Sequence, residues 1–265
     1  MDTTPPTPAV LADPDALGVA LAEIAEEAGR LILPLWRSGL DVQTKSDSSP
    51  VTVADQRAEA LILERLAARF PGVPVISEED ASESGLPLEI ADRFFLVDPL
   101  DGTKAFVRGD PNFTVNIGLI EGGRPVAGAV VAPPTNEVWR TCAAGVIKTE
   151  PGKSPRQVCV RPWPSAGGVA LISHTMKPEA LAELRARYGF ATTEAMDSSI
   201  KLCRIAEGAA DISPRHGPTM EWDIAAAHAV LLAAGGSLTT VEGAPFVYGK
   251  AAEGFRNGWF VARGA

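Results

Sequence analysis

The chain of 265 residues carries 33 acidic against 24 basic side chains, a formal net charge of −9. That surplus argues against nucleic acid or an anionic membrane as a non-specific partner, so any anionic ligand has to be drawn in by local cations. With 46% hydrophobic and 22% charged residues the composition is that of a globular protein with a sizeable core, enough for one large domain or two modest ones.

The opening MDTTPPTPAVLADPDAL has no basic region and no long apolar run, so it reads as a short disordered tail over 1–14 and not as a signal peptide. No later segment is apolar enough to span a bilayer. Leu17, Leu21, Ile24, Ala28, Leu31, Ile32 and Leu35 share one face of a predicted helix over 15–37, and Ala54, Ala58, Leu61, Ile62 and Leu66 mark a second over 53–69. VPVIS and RFFLVD are short apolar runs bounded by Pro, Glu or Asp, as buried strands are. NFTVNIGLI, PVAGAVVAP and EVWRTC, joined by EGGR and PPTN, predict an antiparallel meander. The polar stretch KTEPGKSPRQ then suggests a boundary between a half over 15–150 and a half over 157–265. Beyond it GGVALIS predicts a strand, and PEALAELRARYG, SSIKLCRIAEG and WDIAAAHAVLLAAGG predict helices stopped by glycine. The fold class is therefore mixed α/β (α+β), as two sheet-plus-helix halves. Cys142, Cys159 and Cys203 lie far apart without CxxC spacing, which fits a reduced, cytoplasmic setting.

The stretch VDPLDGTKAF carries the chemistry. Asp98 ends a predicted strand, and Pro99 stiffens a turn that brings Asp101 near it; two carboxylates this close repel unless a cation sits between them. Gly102 permits close approach of an anion, and Thr103 begins a short helix with free N–H groups. An all-oxygen site for Mg²⁺ needs further donors. SEED supplies Glu78 or Glu79, and Asp223 opens the helix WDIAAAHAV, from which a carboxylate can project. Asp55 sits in the second helix. Each of these residues alone has an ordinary structural explanation as a cap, a turn or a solvated loop; together they predict a metal site that handles phosphate.

FLVDPLDGTKAF, with SEED upstream and WDIAAAHAVLLAAGG downstream, resembles the DPxDGT, GEE and WDxAA elements of the inositol monophosphatase superfamily, in the same order over about residues 40 to 240. KSDSSPVTVAD, NFTVNIGLI, SSIKLCRIAEGAADISPR and GPTMEWD are most similar to its CysQ-type 3′(2′),5′-bisphosphate nucleotidases, which remove one phosphate from 3′-phosphoadenosine 5′-phosphate to leave AMP. The resemblance implies a layered αβαβα sandwich and two or three Mg²⁺ ions. It assigns the ions to Glu78, Asp98, Asp101, Asp223 and the carbonyl of Leu100. Thr103, bonded to Asp55, would act on water with Glu78, and the amides of Gly102 and Thr103 would hold the phosphoryl group. Lys45, His174, Ser198, Lys201 and Arg215 would contact the nucleotide. Lithium sensitivity follows from the same likeness, whereas the expectation of no nucleic-acid or membrane partner rests on the net charge; a monomer or homodimer is expected, a choice the sequence leaves open. His228, among alanines, reads as a packing residue, and the role of His216 stays open. Ala105, ISHTM and DSS depart from the nucleotidase pattern at positions away from the metal ligands. The alternatives are an inositol, histidinol or sugar monophosphatase, and a non-catalytic regulator that binds phosphorylated metabolites.

Overall fold

The computed structural model describes residues 9–38, 42–44 and 50–265. It opens with a single helical turn, α1 (Ala9–Ala12), and the long α2 (Pro14–Ser38). Residues 9–12 and 14 are thus helical where a disordered tail over 1–14 is expected: the Asp13 carboxylate accepts the amides of Asp15 and Ala16 at 2.9 and 3.2 Å and starts α2. A small antiparallel pair, β1 (Val42–Thr44) and β2 (Pro50–Thr52), leads into α3 (Val53–Arg69).

The central element is a seven-stranded sheet whose strands lie side by side in chain order. They are β3 (Val75–Ser77), β4 (Arg93–Asp101), β5 (Thr114–Glu121), β6 (Arg124–Ala132), β7 (Glu137–Cys142), β8 (Gly145–Thr149) and β9 (Arg156–Val158). Only β3 and β4 are parallel, because the short helix α4 (Glu78–Ser84) and the segment after it carry the chain between them; the rest form the predicted meander. The stretch expected to separate two halves instead joins β8 to β9 of this sheet, with Val146 opposite Val158. The chain leaves the sheet only after Val158.

A second sheet follows. It comprises β10 (Val169–Ile172), β11 (Thr192–Ala195), β12 (Ile212–Arg215), β14 (Ser237–Thr240) and β16 (Phe260–Arg263), in the order β11-β10-β12-β16-β14; β13 (Thr219–Met220) pairs separately with β15 (Arg256–Asn257). The remaining helices are α5 (Thr103–Val107), α6 (Pro178–Tyr188), α7 (Ile200–Ala206) and α8 (Glu221–Ala233). Strand alternation sorts the core: Phe95 and Val97 of β4 face α2 and α3, while Phe94 and Leu96 face the side occupied by α7 and α8. With α6 packed on the far side of the second sheet, the layers run αβαβα. The alanines of α8 let it lie very close to the first sheet. A Cβ at Gly128 would come within 2.4 Å of the Ala226 carbonyl oxygen, so only glycine fits there. This close seating brings the start of α8, with Asp223, to the end of β4 that carries Asp98.

Candidate active site

In a regular strand residues three apart face opposite sides, so Asp98 and Asp101 cannot meet without an irregularity. β4 supplies one: Asp98 pairs with Asn116 and Asp101 with Thr114, three steps on β4 against two on β5. The Asp98 carboxylate accepts the Leu100 amide at 3.0 Å, which closes the turn over Pro99. Gly102 then adopts φ +95°, and a Cβ there would meet the Asn112 carbonyl at 2.9 Å. Thr103 at the start of α5 reaches the Leu100 carbonyl at 3.1 Å and Asp55 at 3.3 Å.

Glu78 arrives from the first turn of α4. That turn is anchored by Glu59 of α3, whose buried carboxylate accepts the amides of Glu79 and Asp80 at 2.9 and 2.7 Å. Asp223 arrives from α8, where it accepts the Met220 amide at 2.9 Å. Ligand oxygens of Glu78, Asp98 and Asp223 lie within 4.8 Å of one another. Between the two donors that the sequence leaves open, Glu78 is the one in this group.

Asp98 is only 1% exposed. Burial drives its pKa well up, and the neighbouring charges of Glu78, Asp101 and Asp223 drive it further in the same direction. Asp223 is raised by burial and by Asp101 and Glu78. Carboxylates crowded in this way stay ionised only when a cation takes up their charge, and carboxylate oxygens are the donors that hard divalent ions select. The residues present therefore fit a divalent metal site.

Asp101 stands beside this group and outside it. One of its oxygens, Oδ2, accepts the Ser198 hydroxyl at 2.7 Å, the Ser199 amide and the Thr114 hydroxyl at 3.3 Å. Ser199 in turn donates to Asn116 at 2.9 Å. To make these bonds Ser198 takes φ +66°, an uncommon conformation for a residue with a side chain. Ser198, read from the sequence as a nucleotide contact, thus turns its hydroxyl to Asp101. Ser199, Thr114 and Asn116 were not predicted; all three lie inside the stretches SSIK and NFTVN, but nothing local marks them as carboxylate partners.

A cleft of about 340 Å³ opens between the start of α6 and the loop after β12. Lys177, Lys201 and Arg215 line it, a local concentration of cations on an acidic chain. Lys201 donates to the carbonyls of Ser198 and Met196 at 2.8 and 3.2 Å; burial lowers its pKa to about 8, against the pull of Asp101. His174 does not join the acids at the metal site. It lies 3.3 Å from Asp197, near Asp110, where Arg108 already supplies a cation to Asp197 at 2.8 Å. His228 is buried and bonds the Tyr248 hydroxyl at 2.8 Å, as a packing residue does. Lys45 lies outside the described residues.

A layered αβαβα sandwich with a carboxylate cluster at the end of one sheet and a cationic cleft beside it defines a class, and the comparisons with known proteins agree on which. The model of the inositol monophosphatase family matches residues 13–259, and the chain belongs to that family. It is 38% identical over 230 residues to the 3′(2′),5′-bisphosphate nucleotidase CysQ of Escherichia coli K12, covering 86% of this chain and 92% of that one. It is 33% identical over 242 residues to the histidinol-phosphatase of Mycobacterium tuberculosis H37Rv, covering 89% and 90%. Among solved structures, CysQ from Bacteroides thetaiotaomicron superposes with a TM-score of 0.75 at 30% identity, covering 94% of this chain and 97% of that one. No helix among the described residues is long and apolar enough to cross a membrane.

Proposed function

We propose that this chain is a Mg²⁺-dependent 3′(2′),5′-bisphosphate nucleotidase that converts 3′-phosphoadenosine 5′-phosphate to AMP and phosphate. The observation that carries this reading is the adjacency of two oppositely charged zones. Lys201 senses the charge of Asp101, and Arg215 that of Asp223, so the cationic cleft abuts the carboxylate cluster. A substrate with two phosphates separated by a sugar matches both zones: one phosphate at the acids, through cations, and the second against Lys201, Arg215 and Lys177. A polyol monophosphate brings no second phosphate to those three cations.

Glu78, Asp98 and Asp223 would hold the ions, with Asp101 and the Leu100 carbonyl beside them. Divalent cations bound there would activate water and neutralise the charge that develops on the scissile phosphate. The chain's own part is positional. Thr103 gives its one hydroxyl proton to Asp55 or to the Leu100 carbonyl, so its lone pairs remain to accept from a water and hold it for attack. The start of α5, at Gly102 and Thr103, offers backbone amides to the phosphoryl oxygens. Asp101, with one oxygen fixed by Ser198, Ser199 and Thr114, presents the other in a single orientation.

The test is phosphate release from 3′-phosphoadenosine 5′-phosphate, inositol 1-phosphate and histidinol phosphate, each with and without Mg²⁺. The proposal requires metal-dependent turnover with the highest kcat/KM on the bisphosphate. A preference for either monophosphate would assign the chain to a sister activity, histidinol phosphate being the rival that a 33% identical relative supports.

A further inference from the structure

Trp259 is 54% exposed, an unusual place for a large aromatic side chain. It is not loose: its ring stacks on His216 with centroids 4.4 Å apart and planes 12° from parallel. His216 lines the cationic cleft, next to Arg215 in the chain. The Nε2 of His216 and the Nε of Arg215 are both buried, and neither has a hydrogen-bond partner among the described residues. Buried polar atoms are normally satisfied, so two orphans on adjacent residues of one cleft point to a ligand that completes them. Burial holds the His216 pKa low, and the charge of Arg187 adds to that, so the imidazole is neutral at pH 7.

A flat, neutral, heteroaromatic wall beside three cations is the combination that recognises a nucleotide: the cations take the phosphate and the ring takes the base. A sugar or polyol ring has no π-face to lay against it. We propose that His216 is the base-contacting residue of the cleft and that Trp259 is a positioning residue that holds its ring flat, so that together they select phosphate esters of nucleosides over base-free ones. This inference rests on the nucleotidase reading and names the part of the site that enforces it.

The experiment compares wild type with His216→Ala, Trp259→Ala and Trp259→Phe. Metal-free binding of AMP is measured by calorimetry, and KM and kcat are measured on 3′-phosphoadenosine 5′-phosphate and on the base-free inositol 1,4-bisphosphate. His216→Ala and Trp259→Ala are expected to weaken AMP binding and raise KM for the nucleotide about tenfold, the loss that follows from removing one base-stacking partner. KM for the base-free ester and both kcat values should hold within about twofold. Trp259→Phe keeps a stacking ring and should stay close to wild type. Unchanged AMP affinity in both alanine variants overturns the proposal, and so does an equal KM penalty on both substrates. A wild type that binds AMP through His216 yet hydrolyses AMP in preference to the bisphosphate refutes the nucleotidase reading and leaves this one standing, because both esters carry the base; a preference for a base-free monophosphate overturns both. A wild type that does not bind AMP refutes this one.

Discussion

Two clusters of acids in this molecule show opposite solutions to one problem. In the first, Glu137, Glu150 and Glu207 surround Lys148, which is 3% exposed and lies 2.6, 3.1 and 2.6 Å from them. Arg204 adds bonds of 2.6 and 2.8 Å to Glu137 and Glu207, and both cations sit about 5 Å from the centre of the Trp139 ring. Burial alone would raise the Glu137 pKa, but the bonds from Arg204 and Lys148 overcome it and hold it at about 2. In the second cluster Glu78, Asp98 and Asp223 converge beside Asp101, and the pKa of Asp98 is pushed up instead. The first cluster is neutralised by cations of the chain and joins β7, β8 and α7 into one body. In the second, burial and the neighbouring carboxylates outweigh what lowers the pKa of Asp98 and Asp223. Acids held low by chain cations are architecture, whereas buried acids that raise one another mark a place where a cation belongs.

The largest effect that can break this contrast is on activity. Asp98→Asn should lower kcat by at least on the order of 10²–10³-fold, the scale of losing a central electrostatic group. The metal-free variant should melt at a higher temperature than the wild type, because one of the crowded charges is gone. A variant that is both active and less stable would place Asp98 with the architectural acids. Lys148→Met is the converse. Leaving Glu137 and Glu207 buried beside one cation fewer should cost about 3–5 kcal/mol in urea unfolding, while the kcat of the protein that remains folded changes little.

A smaller effect tests the link to Asp101. On the proposal that Asp101 helps to hold the ions, Ser198→Ala, which removes one of the three donors on Oδ2, should raise the half-saturating Mg²⁺ concentration about tenfold. The same shift should appear when Mn²⁺ binding is followed by calorimetry without substrate. An unchanged metal affinity would leave Ser198 as a substrate contact only.

A separate effect, spread over several pH units, is the dependence of stability on pH. Glu137 has a folded pKa of about 2, below its ordinary 4.5, so its contribution is complete above pH 4.5 and is lost as the pH falls towards 2. His228, lowered by burial to about 3 from 6.5, stays neutral where the unfolded chain takes up a proton, so its site loses stability as the pH falls from 6.5 towards 3. Urea midpoints should decline across both windows. Lys148→Met, which removes one of the bonds holding Glu137 down, should flatten the lower one.

The same comparison shows what a sequence reveals and what it hides. The long helices were legible because Leu21, Ile24, Ala28 and Ile32 repeat at helical spacing and glycines such as Gly189 and Gly208 stop the chain where φ turns positive. The layered fold followed from the family resemblance that DPLDGT, SEED and EWD carry, and the convergence of Glu78, Asp98 and Asp223 was legible because carboxylates stand there at a strand end and at helix starts. The compensated cluster was not. KTEPGKSPRQ looks like a linker because Lys148 and Glu150 are charged, and only the fold reveals that Lys148 is buried against Glu137 of the neighbouring strand and Glu207 just after α7. The donors on Asp101 were hidden for the same reason. Thr114 and Ser199 are ordinary strand and turn residues until the packing of α7 brings residues some 80 positions apart into hydrogen-bond contact. Short-range patterns report what a segment becomes; they do not report which distant partner completes it.

The most direct test of the central claim is anomalous diffraction from crystals grown with Mn²⁺ in place of Mg²⁺. The account predicts a strong peak among the carboxylates of Glu78, Asp98 and Asp223. Density that is empty there, with those side chains turned to separate surfaces, would contradict it.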